Sequence, residues 1–221
     1  MKNRGPIVIS AAIVAAMLAA SMWALFHIPP GTKIPIHWNL YGAPDRFADA
    51  PLALFMTPAM AALVAILFVA IPALEPRRLN LERSAKFYHA TWIAIITLMA
   101  AIHGVALYST THAGVQVGGV VIGGACLLLI VIGNYLGKTR SMFLGGVWTL
   151  SSEYSWQRTH SLAGKLFMAS GVLGFAAVIA LPLPIAVSIF VCATVVTVLL
   201  SIVMSYVYWR RDPELGAKVH E

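Results

Sequence analysis

Apolar residues run along this chain in long stretches that no charge interrupts. Gly5 to Thr32, Ala50 to Leu74, Phe87 to Gly137 and Leu166 to Trp209 hold no Asp, Glu, Lys or Arg. A helix crossing a bilayer needs about 20 apolar residues. The first two stretches fit one span each, and the two longer ones fit two each. The third breaks at Ser109-Thr110-Thr111-His112-Ala113-Gly114, a polar turn. The fourth breaks at Pro182-Leu183-Pro184, since neither proline suits a regular helix interior. The pattern predicts six helices, over about residues 7–27, 51–74, 86–109, 115–136, 163–181 and 184–209. The first is expected to be a retained signal anchor. Its uncharged core, Ile7 to Phe26, is longer than a signal-peptide core, and no A-x-A-like cleavage site follows it.

Composition agrees. Of the 221 residues 60% are hydrophobic and 10% charged, with mean hydropathy +0.84. Soluble domains are nearer 45–50% apolar and about 25% charged. A soluble enzyme, a disordered chain and a disulfide-stapled secreted domain are excluded. A porin-like barrel would need alternating segments of about 10 residues, which the unbroken runs do not provide. The expected fold class is an all-α integral membrane protein, with six transmembrane helices and a small extracytoplasmic cap between the first two.

The net charge of +7 matters through its placement. Of the 15 Lys and Arg, only Lys33 and Arg46 fall between the first and second helices or at other loops of that side. The rest precede the first helix, follow the last, or lie in the loops after the second and fourth. Positive residues collect on the cytoplasmic side. Both termini are therefore expected in the cytoplasm of a cell inner-membrane protein, with residues 28–50 external. The basic residues then serve topology and lipid headgroups rather than nucleic acid.

Cys126 and Cys192 fall mid-helix and read as small hydrophobes, not as a disulfide or a zinc site. Gly114/Gly118 and Gly119/Gly123 have the spacing that permits close helix approach.

Two loops carry the candidate chemistry. The external one reads HIPPGTKIPIHWNLYGAPDRFAD, His27 to Asp49. Lys33 to Trp38 is expected to be extended, Asn39 to Gly42 to turn the chain, and Asp45 to begin a short helical turn. Asp49 suits the N-cap of the second helix, with Pro51 in its first turn. Trp38, Tyr41 and Phe47 suit the headgroup zone. His37 and Asp45, eight residues apart across a Gly-Pro turn, suit a hairpin contact. His27, His37, Asp45 and His112 are expected on the outer face, with His103 just below it. His37, Asp45, His103 and His112 are zinc-type ligands by residue type, but hydrogen bonding within the cap is the simpler reading.

The internal loop runs from Gly133 to Gly164. Asn134 is placed to bond across helices. Ser152 suits the N-cap of a helix starting at Glu153, on which Trp156 and His160 share a face and Arg158 points elsewhere. The segment reads as an amphipathic elbow, with Trp148 and Trp156 as interface anchors.

These loops also carry a resemblance. Pro35-x-His37-Trp38-Asn39-x-x-Gly42-x-Pro44-Asp45-Arg46 resembles the P-x-H-[FW]-N-x-x-G-x-P-D segment of a bacterial membrane domain of unknown function. Gly133-Asn134-Tyr135-Leu136-Gly137-Lys138, Trp148-Thr149-Leu150-Ser151 and Trp156-x-x-Thr159-His160-x-x-x-Gly164 resemble the signature of the SdpI-type immunity protein family. The resemblance covers about residues 5 to 209. It implies an N-terminal membrane domain with the external cap (1–75) and an SdpI-like membrane domain (76–221). It also implies an immunity and sensor role. A secreted antimicrobial peptide would be met outside by His37, Trp38, Asn39, Gly42, Pro44 and Asp45. A transcriptional repressor would be held inside by Asn134, Trp148, Trp156, Thr159 and His160. One stretch departs from the family pattern: Ser141 to Val147 is shorter and holds no Arg, Asn or Pro.

Two other classes stand against this. A small-solute or ion transporter usually needs ionisable residues within its helices, and only His89 and His103 lie there. A membrane enzyme would need a nucleophile–base pair or a metal, and the external His/Asp set is all the chain offers it. The expectation is a non-enzyme without cofactor.

Overall fold

The computed structural model describes residues 2–112, 114–139 and 145–214. Arg140, Lys218 and residues 141–144, which entered the charge and loop readings, lie outside them. Six helices are long and apolar enough to cross a membrane: α1 (Arg4–His27), α2 (Ala50–Leu74), α4 (Ala85–Thr111), α5 (Val117–Leu136), α7 (Glu153–Ala180) and α8 (Leu183–Arg210). Strands β1 (Lys33–Trp38) and β2 (Pro44–Asp49) form an antiparallel hairpin between α1 and α2. Two short helices, α3 (Arg78–Arg83) and α6 (Val147–Leu150), complete the described elements. The chain is a multi-pass, all-α membrane protein.

The spans match the apolar runs, with two differences. The elbow and the fifth span are one continuous helix, α7, because no breaker separates Glu153 from Ala180 and Lys165 can carry its charge at the helix surface. The basic loop after α2 also folds a turn the apolar pattern did not predict. Leu81 of α3 is 1% exposed and packs on Tyr88, Trp92 and Ile96 of α4. Ser152 caps α7 as expected, its hydroxyl accepting from the Ser155 amide at 2.9 Å.

Helices α1, α2 and α4 pack together, as do α5, α7 and α8, and α4 against α5 joins the two groups. The first group is stitched by large side chains. Phe68 stacks on Trp92 with centroids 5.4 Å apart, and the Tyr88 hydroxyl donates to the Phe68 carbonyl. The second group is stitched by small ones. A Cβ at Gly133 would lie 2.5 Å from the Gly164 carbonyl oxygen and 2.7 Å from the Met168 amide nitrogen. One at Gly171 would lie 2.6 Å from the Cys126 carbonyl oxygen. The α5–α7 backbones therefore touch along Gly133, Gly164 and Gly171. Of the four glycines expected at close approaches only Gly118 makes one, a Cβ there lying 2.8 Å from the Leu183 side chain. A Cβ at Gly119 or Gly123 would meet only ordinary contacts, at 3.8 and 3.6 Å, and one at Gly114 nothing.

Short hydroxyl links hold α7 to α8. Ser170 and Thr197 hydroxyls lie 2.8 Å apart, Ser155 donates to the Ser205 carbonyl at 2.7 Å, and Ser152 donates to Asp212 at 2.5 Å. Side chains such as Phe26, Leu74 and Ile179, at least three-quarters exposed, face the lipid.

Candidate functional site

The hairpin follows from its residues. Asn39 builds the turn: its side-chain oxygen accepts from the Tyr41 and Ala43 amides at 2.9 and 3.1 Å. Gly42 closes it with φ +80°, a conformation that favours glycine. Pairing runs Lys33 with Asp49, Ile34 with Ala48 and Pro35 with Phe47, then shifts at Ile36 and again at Asp45. These two bulges re-aim the side chains beside them. Asp45 Oδ1 then accepts from His37 Nδ1 at 2.5 Å. The expected helical turn at Asp45 is corrected. Pro44–Asp49 is a strand, because pairing with β1 satisfies its backbone. Asp49 does stand at the N-cap of α2, but its carboxylate pairs with Lys33 Nζ at 2.7 Å instead of capping the helix.

Ile34, 4% exposed, plugs the hairpin base into Ala24, Ala50 and Leu54. The tip crosses to the other helix group. A Cβ at Gly42 would meet Gln116 at 3.1 Å and Leu183 at 3.4 Å, and one at Gly118 would meet Leu183 at 2.8 Å. The cap thus starts in the α1–α2–α4 group and rests on the ends of α5 and α8. Under it lies a mainly apolar cavity of about 530 Å³. Its roof is Ile36 to Leu40, and its walls come from Ile102 of α4, Val121 and Ile122 of α5, and Val187 of α8. His37, Trp38 and Asn39 therefore line it, whereas Pro44 and Asp45 lie on the exposed side of the hairpin.

The other histidines are dispersed. His27 donates to the Trp23 carbonyl at 2.7 Å and stacks on Trp23. His112 stacks on Tyr108 with centroids 3.9 Å apart. His103 is buried: its Nε2 donates to the Ser21 hydroxyl at 3.1 Å, which donates to the Leu54 carbonyl at 2.7 Å. That link ties α1, α2 and α4 together, and sequence spacing gave no sign of it. Of the four candidate metal ligands only His37 and Asp45 meet. Among the described residues no three His, Cys, Asp or Glu side chains gather as a metal would require.

The opposite, basic end holds a second cavity of about 470 Å³ between α4, α5, α6, α7 and α8. Trp148, Thr159 and His160 line it, with Phe87, Ile132 and Phe167 deeper in its walls. Trp156 is not an interface anchor: it is 1% exposed, stacks on His160 at 3.7 Å, and has the Gly145 backbone so close that a Cβ there would lie 3.1 Å from its ring. Trp148 is half-buried and meets Tyr206 at 5.2 Å. Asn134 does not bond across helices. It is exposed and accepts from Lys138 Nζ at 2.9 Å, one turn along its own chain.

The sequence pattern of the SdpI/YfhL protein family matches residues 139–208, from the basic-end loop through α8. That of a domain of unknown function, DUF1648, matches residues 12–62, which contain the whole hairpin. Together the two matches support an SdpI-type membrane protein with that N-terminal domain of unknown function. No curated protein and no solved structure matches the chain.

Proposed function

We propose that this chain is a bacterial inner-membrane immunity and sensor protein that meets a secreted antimicrobial peptide under its external hairpin. In this reading the termini and basic loops are cytoplasmic, residues 1–75 form the cap-bearing domain and 76–221 the SdpI-like one. The observation that carries it is the cavity beneath the cap. It is mainly apolar, roofed by the most motif-dense part of the chain, and walled by helices of both groups. A membrane-active peptide is amphipathic, so it can seat an apolar side chain there while its polar atoms meet Asn39, His37 and the hairpin backbone.

Signalling needs a second site at the basic end, coupled through helices with two arrangements. Trp156 and Thr159 are buried, so a cytoplasmic repressor would reach the exposed Asn134 and the walls at Trp148 and His160 first. Loading the cap would press on Leu183 and Gly118, the starts of α8 and α5. The seam at Gly133 and Gly164 would carry that displacement into α7.

The test is survival of a host lacking its own copy, challenged with a panel of purified membrane-active peptides and scored beside a repressor-controlled reporter. Trp38→Ala is expected to abolish protection, while His160→Ala spares protection and silences only the reporter. Cap variants that insert normally and protect like the unaltered chain would overturn the reading.

A further inference from the structure

Helix α2 carries two interior prolines, Pro58 and Pro72. A proline has no amide hydrogen to give the carbonyl four residues back, so Leu54 and Phe68 lose their intrahelical donors. Both carbonyls are met from neighbouring helices. The Tyr88 hydroxyl of α4 donates to that of Phe68, and the Ser21 hydroxyl of α1 donates to that of Leu54 at 2.7 Å. An unsatisfied carbonyl in hydrocarbon is costly, and a borrowed hydroxyl is one way a transmembrane helix keeps an interior proline. Ser21 is itself held, since His103 Nε2 donates to its oxygen at 3.1 Å. Ser21, Leu54, Pro58 and His103 are all buried.

The two prolines differ in what they carry. Pro72 stands beside the end of α2 at Leu74, so a bend there moves only the basic loop. Pro58 has the first two turns of α2 above it, and β2 runs into them at Asp49 and Ala50 without a linker. Ile34 of β1 packs on Ala50 and Leu54 of that same segment. Residues 50–57 and the hairpin therefore form one body above the proline, and interior prolines are where helices bend. The strands are about 20 Å long, so a bend of about 10° at Pro58 swings the hairpin tip by roughly 3 Å. The tip meets α5 and α8 through Gly42, which faces the Gln116 and Leu183 side chains. Lifting it there opens the outer cavity.

The Ser21 bond favours the shut position. With the cap down, Ser21 meets the Leu54 carbonyl. Leu54 lies about 6 Å below the start of α2, so water entering under a lifted cap can meet that carbonyl instead. We propose that Pro58 is the hinge on which the cap opens the outer cavity, and that Ser21, held by His103, is the latch that keeps it shut. This gating rests on the outer cavity being the binding site. Its test uses no peptide, so the hinge can fail while protection stands, and the reverse.

Access is read as a labelling rate. Val187 lines the outer cavity, and the parent chain for the test carries Val187→Cys and Cys192→Ala. Buried Cys126 stays as the internal control. The full chain in lipid nanodiscs is treated with a membrane-impermeant maleimide, and each labelled peptide is identified by mass. Ser21→Ala is expected to speed labelling at position 187 about fivefold, the worth of one hydrogen bond, and to leave Cys126 unlabelled. Pro58→Ala restores the missing amide and stiffens the helix, so adding it to Ser21→Ala should return the rate to the parent value or below. A Ser21→Ala chain that labels at the parent rate would overturn the proposal. So would a double variant as fast as Ser21→Ala alone, or Cys126 labelled as fast as position 187. If Ser21→Ala fails to insert, Pro58→Ala alone decides: slower labelling than the parent supports the hinge, and an equal or faster rate overturns it.

Discussion

Gly133→Ala adds one methyl group at the tightest backbone approach in the α5–α7 seam. The added carbon would sit 2.5 Å from the Gly164 carbonyl oxygen and 2.7 Å from the Met168 amide nitrogen. Both are backbone atoms of a neighbouring helix, so no rotamer change relieves them. Overpacking of this kind costs roughly 1–3 kcal/mol, and backbone-on-backbone contact belongs at the upper end. Against that, alanine is the better helix former by about 1 kcal/mol. The net expectation is a loss of about 1–2 kcal/mol. Gly104→Ala is the control. It lies within α4, and its Cβ would meet nothing within 4 Å. There only the helix preference acts, and a gain of up to about 1 kcal/mol follows. The assay is reversible unfolding in mixed micelles, with the spectroscopic transition fitted for both variants and the unaltered chain. Destabilisation at 133 and none at 104 is the expected order. A Gly133→Ala protein as stable as the parent would refute the claim that α5 and α7 meet backbone to backbone.

Two further outcomes follow from other parts of the fold. Ser152→Ala removes an N-cap and the donor to buried Asp212 together, so a loss of about 2 kcal/mol is expected, with faster amide hydrogen exchange at the start of α7. Single cysteines at positions 33 and 78 report sidedness in intact cells: a membrane-impermeant maleimide is expected to label position 33 and spare position 78, and the reverse would overturn the orientation.

What the sequence displayed and what it hid divide along physical lines. The spans were legible because a bilayer demands length and apolarity, and uncharged runs state both directly. The hairpin contact of His37 with Asp45 was legible because Asn39 and Gly42 fix a turn whose geometry is local. The nature of β2 was not, since nothing within Pro44–Asp49 alone says that Lys33–Trp38 will pair with it. Glycine spacing misled. Gly119 and Gly123 have the pattern for close approach, yet Gly133, Gly164 and Gly171 make it, because spacing within one helix does not say which face meets a neighbour. The Ser21–His103 link was hidden for the same reason, being a contact between distant segments.

The two cavities are not independent features of the bundle. Both take walls from α4, α5 and α8, the cap-side one through Ile102, Val121 and Val187, the basic-end one through Phe87, Ile132 and Ser201. Helices are stiff along their axes, and the glycine seam prevents α5 from parting easily from α7. Tilting α8 away from α5 at Leu183 to admit an occupant under the cap must therefore change the separation of Ile132 and Ser201 at the other end, unless α8 bends. An occupant of either cavity then biases the other by the same free energy in both directions, which is the reciprocity any coupled pair of sites obeys.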